Sequence, residues 1–186
     1  MIVAETERLL VRNWQDGDLD LFHHINSDED VMAFFPMRRN RAESAEMMRI
    51  IAERIATTGY GFFALQRKGE EHALGFAGLA IARLEPALPE GSVEIGWRLA
   101  RRYWGKGYAT EAARELLRLG FAERGLEEIV SFAVADNRRS TAVMERIGMT
   151  HDPSRDFDHP RMPDSHPHLK RHVLYAIGAD EWRQRA

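Results

Sequence analysis

The sequence contains no cysteine among its 186 residues. This excludes a disulfide framework, a Cys-ligated zinc or iron–sulfur site and a thiol nucleophile. It also has no run of the roughly 20 apolar residues that a membrane span needs; the apolar stretch Phe76 to Ala82 is short and broken by Gly78. The opening, Met1-Ile2-Val3-Ala4-Glu5, has no basic segment followed by a hydrophobic one, so no secretory signal is expected and the expected location is cytoplasmic. An excess of one charge is missing as well: 26 Lys plus Arg face 29 Asp plus Glu, a net charge of −3, which gives no global drive towards nucleic acid. Nothing in the first 150 residues reads as a repeat, low-complexity tract or linker, so a single domain over 1–186 is expected.

What is present is the material of a globular core, 44% hydrophobic and 30% charged residues. Thr6 to Trp14 reads as a first strand, and Asp16-Gly17-Asp18 opens a short helix carrying Leu19, Leu21, Phe22 and Ile25. From Arg41, apolar residues three or four apart (Ala45, Met48, Ile51, Ala52, Ile55) predict a second helix, stopped at Thr57-Thr58-Gly59. Tyr60–Arg67, Leu74–Arg83 and Ser92–Leu99 read as consecutive antiparallel strands. Ala109 to Phe121 has the clearest amphipathic helical pattern, with Ala112, Ala113, Leu116 and Leu117 on one face. A strand over Glu128–Ala135, a helix over Asn137–Ile147 ended by Gly148, and a strand over His172–Ile177 follow. This order predicts a mixed sheet with helices on both faces. Thr150 to Arg171 carries four prolines and no periodicity, and reads as a long ordered loop of the kind that is usually functional or mobile.

The most informative stretch is Arg102-Tyr103-Trp104-Gly105-Lys106-Gly107-Tyr108-Ala109-Thr110-Glu111-Ala112, between a strand and the strongest helix. Two glycines permit unusual dihedrals and close approach of another group. The first N–H groups of the helix lack intrahelical partners and lie at its positive end, so the turn is suited to a phosphate or pyrophosphate. Arg98, Arg101, Arg102 and Lys106 add local positive charge. The segment lacks the third glycine of a dinucleotide fingerprint and the Gly-Lys-Ser/Thr end of a Walker loop, so neither a nicotinamide or flavin cofactor nor a nucleoside triphosphate is indicated.

Arg102-Tyr103-Trp104-Gly105-Lys106-Gly107 resembles the Arg/Gln-x-x-Gly-x-Gly/Ala signature of the GNAT superfamily of acyl-CoA-dependent N-acetyltransferases. Asn137-Arg138-Arg139-Ser140 and Ile147-Gly148-Met149 are similar to the second block of its RimJ/RimL-like branch, and Glu5-Thr6-Glu7-Arg8-Leu9-Leu10-Val11-Arg12 to that branch's first strand. The resemblance implies an α/β (α+β) fold, with a mixed, mostly antiparallel central sheet flanked by helices on both faces. It implies acetyl-CoA as co-substrate, no metal, and transfer of the acetyl group to an amine acceptor, a protein N-terminus or a small molecule. By the same resemblance the cofactor site comprises Tyr103, Trp104, Gly105, Gly107, Tyr108 and Ala109 on the pyrophosphate, with Arg102 and Lys106, whose side chains either touch the phosphates or are solvated charges. Ile95, Gly96 and Trp97 would lie along the pantetheine, where two strands splay apart, and Asn137 and Ser140 at the start of the later helix. Members of the superfamily often form homodimers.

Attack by an amine on the thioester needs a base. Glu94 is either that base or a strand carboxylate paired with Arg98 or Arg102. The tyrosine that many members use to protonate the leaving thiolate is replaced here by Met144; Ser140 is the alternative donor, unless it is only an early helix residue behind an Asn137 N-cap. Loss of the tyrosine keeps open a noncatalytic acyl-CoA-binding module. Four histidines lie in the 150–171 loop and a fifth, His172, on its border, but their spacing does not suit a zinc site. The modest net negative charge favours a cationic acceptor through steering.

Overall fold

The computed structural model describes residues 1–185. In chain order, β1 (Ile2–Glu5) and β2 (Leu9–Arg12) precede helices α1 (Leu19–Ser27) and α2 (Arg41–Thr58). Strands β3 (Gly61–Arg67), β4 (Ala73–Ile81) and β5 (Val93–Leu99) lead to α3 (Tyr108–Arg118), β6 (Glu128–Val134) and α4 (Arg138–Arg146). The short strands β7 (Thr150–His151) and β8 (Phe157–Asp158), then β9 (Arg171–Gly178) and α5 (Ala179–Arg185), complete the chain. Among the described residues nine strands form one sheet in the order β1-β2-β3-β4-β5-β6-β9-β7, with β8 also on β9. Every pairing is antiparallel except β5 with β6.

Local chemistry sets the boundaries. The Asn40 side chain accepts from the Glu43 N–H at 2.9 Å while Glu43 accepts from the Asn40 N–H at 2.8 Å, a capping box that starts α2. Gly59, at φ 72°, ends it. Residues directly opposite across strands share a face, so Ala80 and Glu94, Gly78 and Gly96, and Phe76 and Arg98 lie on one side of the sheet. Leu79 with Ile95 and Ala77 with Trp97 lie on the other. Phe22 of α1 meets the Phe76 ring at 5.9 Å and Trp14 at 4.8 Å, which places α1 on the first side. At Gly120, just after α3, a side chain would collide with Ile129 and Leu79, which places that helix on the second.

Three expectations need correction, and one helix was not expected. The strand expected over Thr6–Trp14 is shorter, Leu9–Arg12, and is preceded by a separate strand, Ile2–Glu5, because the Thr6 hydroxyl and backbone both bond around Leu9 and turn the chain between them. Trp14 lies beyond them, its indole N–H donating to the Phe62 carbonyl at 2.7 Å. The amphipathic helix ends at Arg118 and continues as one wide π turn, Leu119–Glu123. The 150–171 loop is not structureless: its two short strands pair with β9, and the Asp156 carboxylate accepts from the Leu174 N–H at 3.0 Å. The last helix, α5, had no clear sequence signal and is held by Trp182 stacking on Phe121 at 5.4 Å.

A buried ion pair ties the sheet to the entry of α1. Both terminal nitrogens of Arg12 reach Asp18, at 2.6 and 2.8 Å, and Asp18 also accepts from the Gln15 N–H at 2.9 Å. Arg12 and Asp18 are each 3% exposed, so removing one partner strands a buried charge. Asp18→Ala should therefore destabilise the fold by about 3–5 kcal/mol, measured by urea unfolding.

Candidate active site

Strand β5 ends at Leu99, and a single 3₁₀ turn over Arg101–Tyr103 redirects the chain into the two-glycine turn. The Trp104 indole N–H returns to the Leu99 carbonyl at 2.9 Å, closing that turn on the strand end. Gly105 and Gly107 have φ of 72° and 81°, a region that side chains rarely adopt. Gly107 is the N-cap of α3, so the unpaired N–H groups of the first helical turn face outward from it. The turn is braced from the β1–β2 connection. Glu111, in the first turn of α3, accepts from the Thr6 hydroxyl at 2.5 Å, the Arg8 N–H at 2.9 Å and the Arg8 Nε at 2.6 Å. These bonds and the Arg8 cation hold its carboxyl below the usual range, against the opposing pull of its partial burial. Arg8 also donates to the Lys106 carbonyl at 3.1 Å.

Among the described residues the one parallel pairing, β5 with β6, is reduced to one position, Glu94 opposite Val130. Beyond it the strands diverge, and the Ser131 hydroxyl, not a backbone N–H, donates to the Ile95 carbonyl at 2.9 Å. At the open end lies a cavity of about 720 Å³, a size typical of small-molecule sites. Its walls are the α1–α2 connection (Asp30, Val31, Phe34, Phe35), the end of β5 (Trp97, Arg98, Leu99), the glycine turn with the start of α3, and α4. Arg98, Arg138, Arg139 and Arg146 face it, with Asp30 as the sole acidic wall residue, and Asp30 pairs with Arg101. The Arg139 guanidinium lies 4.2 Å from the centre of the Trp104 ring. A positive cavity rooted on a helix N-terminus suits an extended ligand carrying phosphates.

The family model of the acetyltransferase (GNAT) domain matches residues 8–150. The chain is a GNAT acetyltransferase. Among relatives, the Bacillus subtilis protein YkkB is 31% identical over 77% of this chain and 83% of its own length. The B. subtilis protein named as the uncharacterised N-acetyltransferase YnaD is 27% identical over 95% of this chain and 97% of its own length. A GNAT-family acetyltransferase structure from Bacillus anthracis superposes with a TM-score of 0.79 at 27% identity, covering 97% of this chain and 99% of that one. The fold is thus the mixed, largely antiparallel sheet flanked by helices that those neighbours share, and the family's chemistry is acetylation from acetyl-CoA.

Within this GNAT domain the structure gathers most of the expected cofactor residues on one cavity: Trp97, Tyr103, Trp104, Gly105, Gly107, Tyr108, Ala109, Asn137 and Ser140 all border it. It leaves others off. Arg102 turns to a separate small recess with Gly17, Asp20 and His24, its guanidinium 5.0 Å from the Tyr103 ring centre. The Lys106 ammonium likewise lies over Tyr103, at 5.6 Å, outside the cavity wall. Ile95 points into the core at 1% exposure, and the space above Gly96 is filled by the Phe62 ring. Arg138, Arg139 and Arg146 border the cavity too, although no site role was expected of them. Arg139 and Arg146 are seven apart, two turns along one helix face, and that spacing was the available signal.

Glu94 does not border the cavity and pairs with neither Arg98 nor Arg102. Burial raises its carboxyl to about 7, partly opposed by the positive charges of Arg161 and Arg54. Asn137 is an N-cap, accepting from the Ser140 N–H at 3.3 Å. Met144, at 1% exposure, is a core side chain. Two histidines of the long loop and its border pack together, His159 and His172, 4.8 Å apart, with Phe157 stacked on His172 at 5.7 Å, while His151 bonds the Asp156 carboxylate at 2.9 Å. Burial lowers the basicity of the packed pair, His159 to about 4, with the neighbouring His172 and Arg161 adding to that shift. Among the described residues, no group of three or more His, Asp or Glu is placed to hold a metal ion.

Two outcomes follow from this geometry. Gly107→Ala forces a side chain into a left-handed cap, and should weaken acetyl-CoA binding at least tenfold by titration while costing about 1 kcal/mol of stability. Glu94 keeps a proton in the folded state that the unfolded chain releases, so its contribution is present below pH 4.5 and lost as pH rises through about 7. Glu94→Gln should therefore raise the melting temperature at pH 8, by roughly 1–3 kcal/mol of stability, and change it little at pH 4.

Proposed function

We propose that the chain transfers the acetyl group of acetyl-CoA to a primary amine by direct attack within a ternary complex, as a member of the RimJ/RimL-like branch. The observation that carries this reading is the positive cavity that joins the α3 N-terminal turn to the end of β5, beyond the point where β6 parts from it. The backbone N–H groups of the turn, with Arg139 and Arg146 beside them, are the groups we assign to the pyrophosphate. The backbone along Ile95–Leu99, where β6 has left, takes the pantetheine in the manner of an added strand.

In this reading the amine nitrogen bonds to the thioester carbonyl carbon, and the carbon–sulfur bond breaks. Glu94 receives the proton the amine must lose. It does so through water, since the Phe62 ring covers Gly96 between Glu94 and Arg98. A carboxyl raised to about 7 is suited to accept a proton near neutral pH. The Ser140 hydroxyl, on the cavity wall in the first turn of α4, is the donor assigned to the departing thiolate.

One observation favours a second reading, a noncatalytic acyl-CoA-binding module: Met144 is buried and carries no proton to give. Release of free thiol from acetyl-CoA, measured over a panel of peptides, polyamines, aminoglycosides and amino acids, separates the two. Turnover is expected, with kcat/KM rising with pH through an inflection near 7 as Glu94 loses its proton. Glu94→Gln should lower kcat by about 100-fold or more and remove that inflection. Binding of acetyl-CoA without release for every amine establishes the module instead.

A further inference from the structure

The Arg98 guanidinium is an anomaly in the cavity wall. It lies 4.0 Å from the centre of the Phe35 ring and 5.3 Å from that of Phe76, and donates to the Asn26 side-chain oxygen at 2.6 Å. Asn26 is fully buried and oriented by its own amide, which donates to the Phe22 carbonyl at 2.7 Å. Among the described residues no carboxylate lies within ion-pair distance of Arg98. Burial lowers its basicity to about 10, and the like charge of Arg39 adds to that shift. The one acid on the cavity wall, Asp30, is committed to Arg101.

A half-buried cation held by one neutral amide and two aromatic faces has no counter-charge of its own, and a ligand in the cavity can supply it. Five donors in a planar fork match a carboxylate. The position on the sheet says which ligand. Arg98 lies on the same face as Glu94, two strand positions beyond Gly96, and towards α1. By contrast, the Arg139 guanidinium lies over Trp104 of the glycine turn, and it and Arg146 reach the cavity from α4.

We infer that the acceptor is an amine that also carries a carboxylate, an amino acid or short peptide acid, and that Arg98, presented by Asn26, binds that carboxylate. This rests on the acetyl-transfer reading above and reverses the cationic acceptor suggested by net charge. Asn26 is a positioning residue: its neutral oxygen orients the guanidinium without neutralising it.

The test compares free L-amino acids and glycyl dipeptides with their C-terminal amides as acetyl acceptors, by thiol release, alongside a direct acetyl-CoA titration. The free acids should be preferred at least tenfold in kcat/KM. Arg98→Gln should bring the acid-to-amide ratio towards 1. Asn26→Asp, nearly isosteric, places a carboxylate against Arg98 and should also collapse the ratio, with the loss in KM for the acid rather than in kcat. Equal or better use of amides, a ratio unmoved in either variant, or turnover confined to polyamines or aminoglycosides overturns the inference. So does acetyl-CoA binding with no acid accepted, which leaves the cofactor site standing. Failure to bind acetyl-CoA overturns the transfer reading itself.

Discussion

The parting of β5 from β6 is the constraint on which the rest of the structure depends. A parallel pair reduced to one bridging position leaves backbone groups of β5 without a sheet partner. Such groups are tolerable only if something else satisfies them, and the fold arranges this at Ile95, whose carbonyl accepts from the Ser131 hydroxyl. The remaining free edge opens onto the cavity. On one flank β5 is locked by seven antiparallel positions with β4, and on the other β6 by seven with β9. The gap between them is therefore held open by two rigid halves of the sheet.

The second organising feature is charge placed against the grain of the whole molecule. The chain is net acidic, yet its cavity is walled by four arginines and one acid already engaged elsewhere. Acidic residues near the glycine turn are spent on structure: Glu111 bonds to Thr6 and Arg8 and thereby braces the first turn of α3. Thr6 and Arg8, from the connection of β1 to β2, are thus the partners that hold the glycine turn in place.

Much of the architecture was legible from periodicity. The α2 boundaries follow from Asn40, Glu43 and Gly59, and the amphipathic face of α3 from Ala112, Ala113, Leu116 and Leu117, because capping and face burial are local properties of sequence. The order of β3, β4 and β5 followed equally. The 150–171 segment was less legible: its short strands exist only because β9 supplies a partner edge, and two-residue pairings have no period to detect. Helix α5 was missed for a related reason, its docking depending on Phe121 some 60 residues earlier, by Trp182 stacking.

For the candidate site, the sequence by itself determined the glycine turn, the helix behind it and the Asn137 cap. Each is an arrangement of neighbours in the chain whose backbone chemistry is readable at short range. Only the tertiary structure decided which charges meet the cavity. Arg98, Arg101 and Arg102 lie within five residues of one another, yet one faces the cavity, one pairs with Asp30 across its wall, and one turns to a separate recess. Strand alternation followed by a 3₁₀ turn separates their directions. The burial that raises Glu94 and leaves Arg98 without a carboxylate comes from α1, α2 and the long loop packing on that sheet face. It is set by chain segments remote in sequence, which no local pattern encodes.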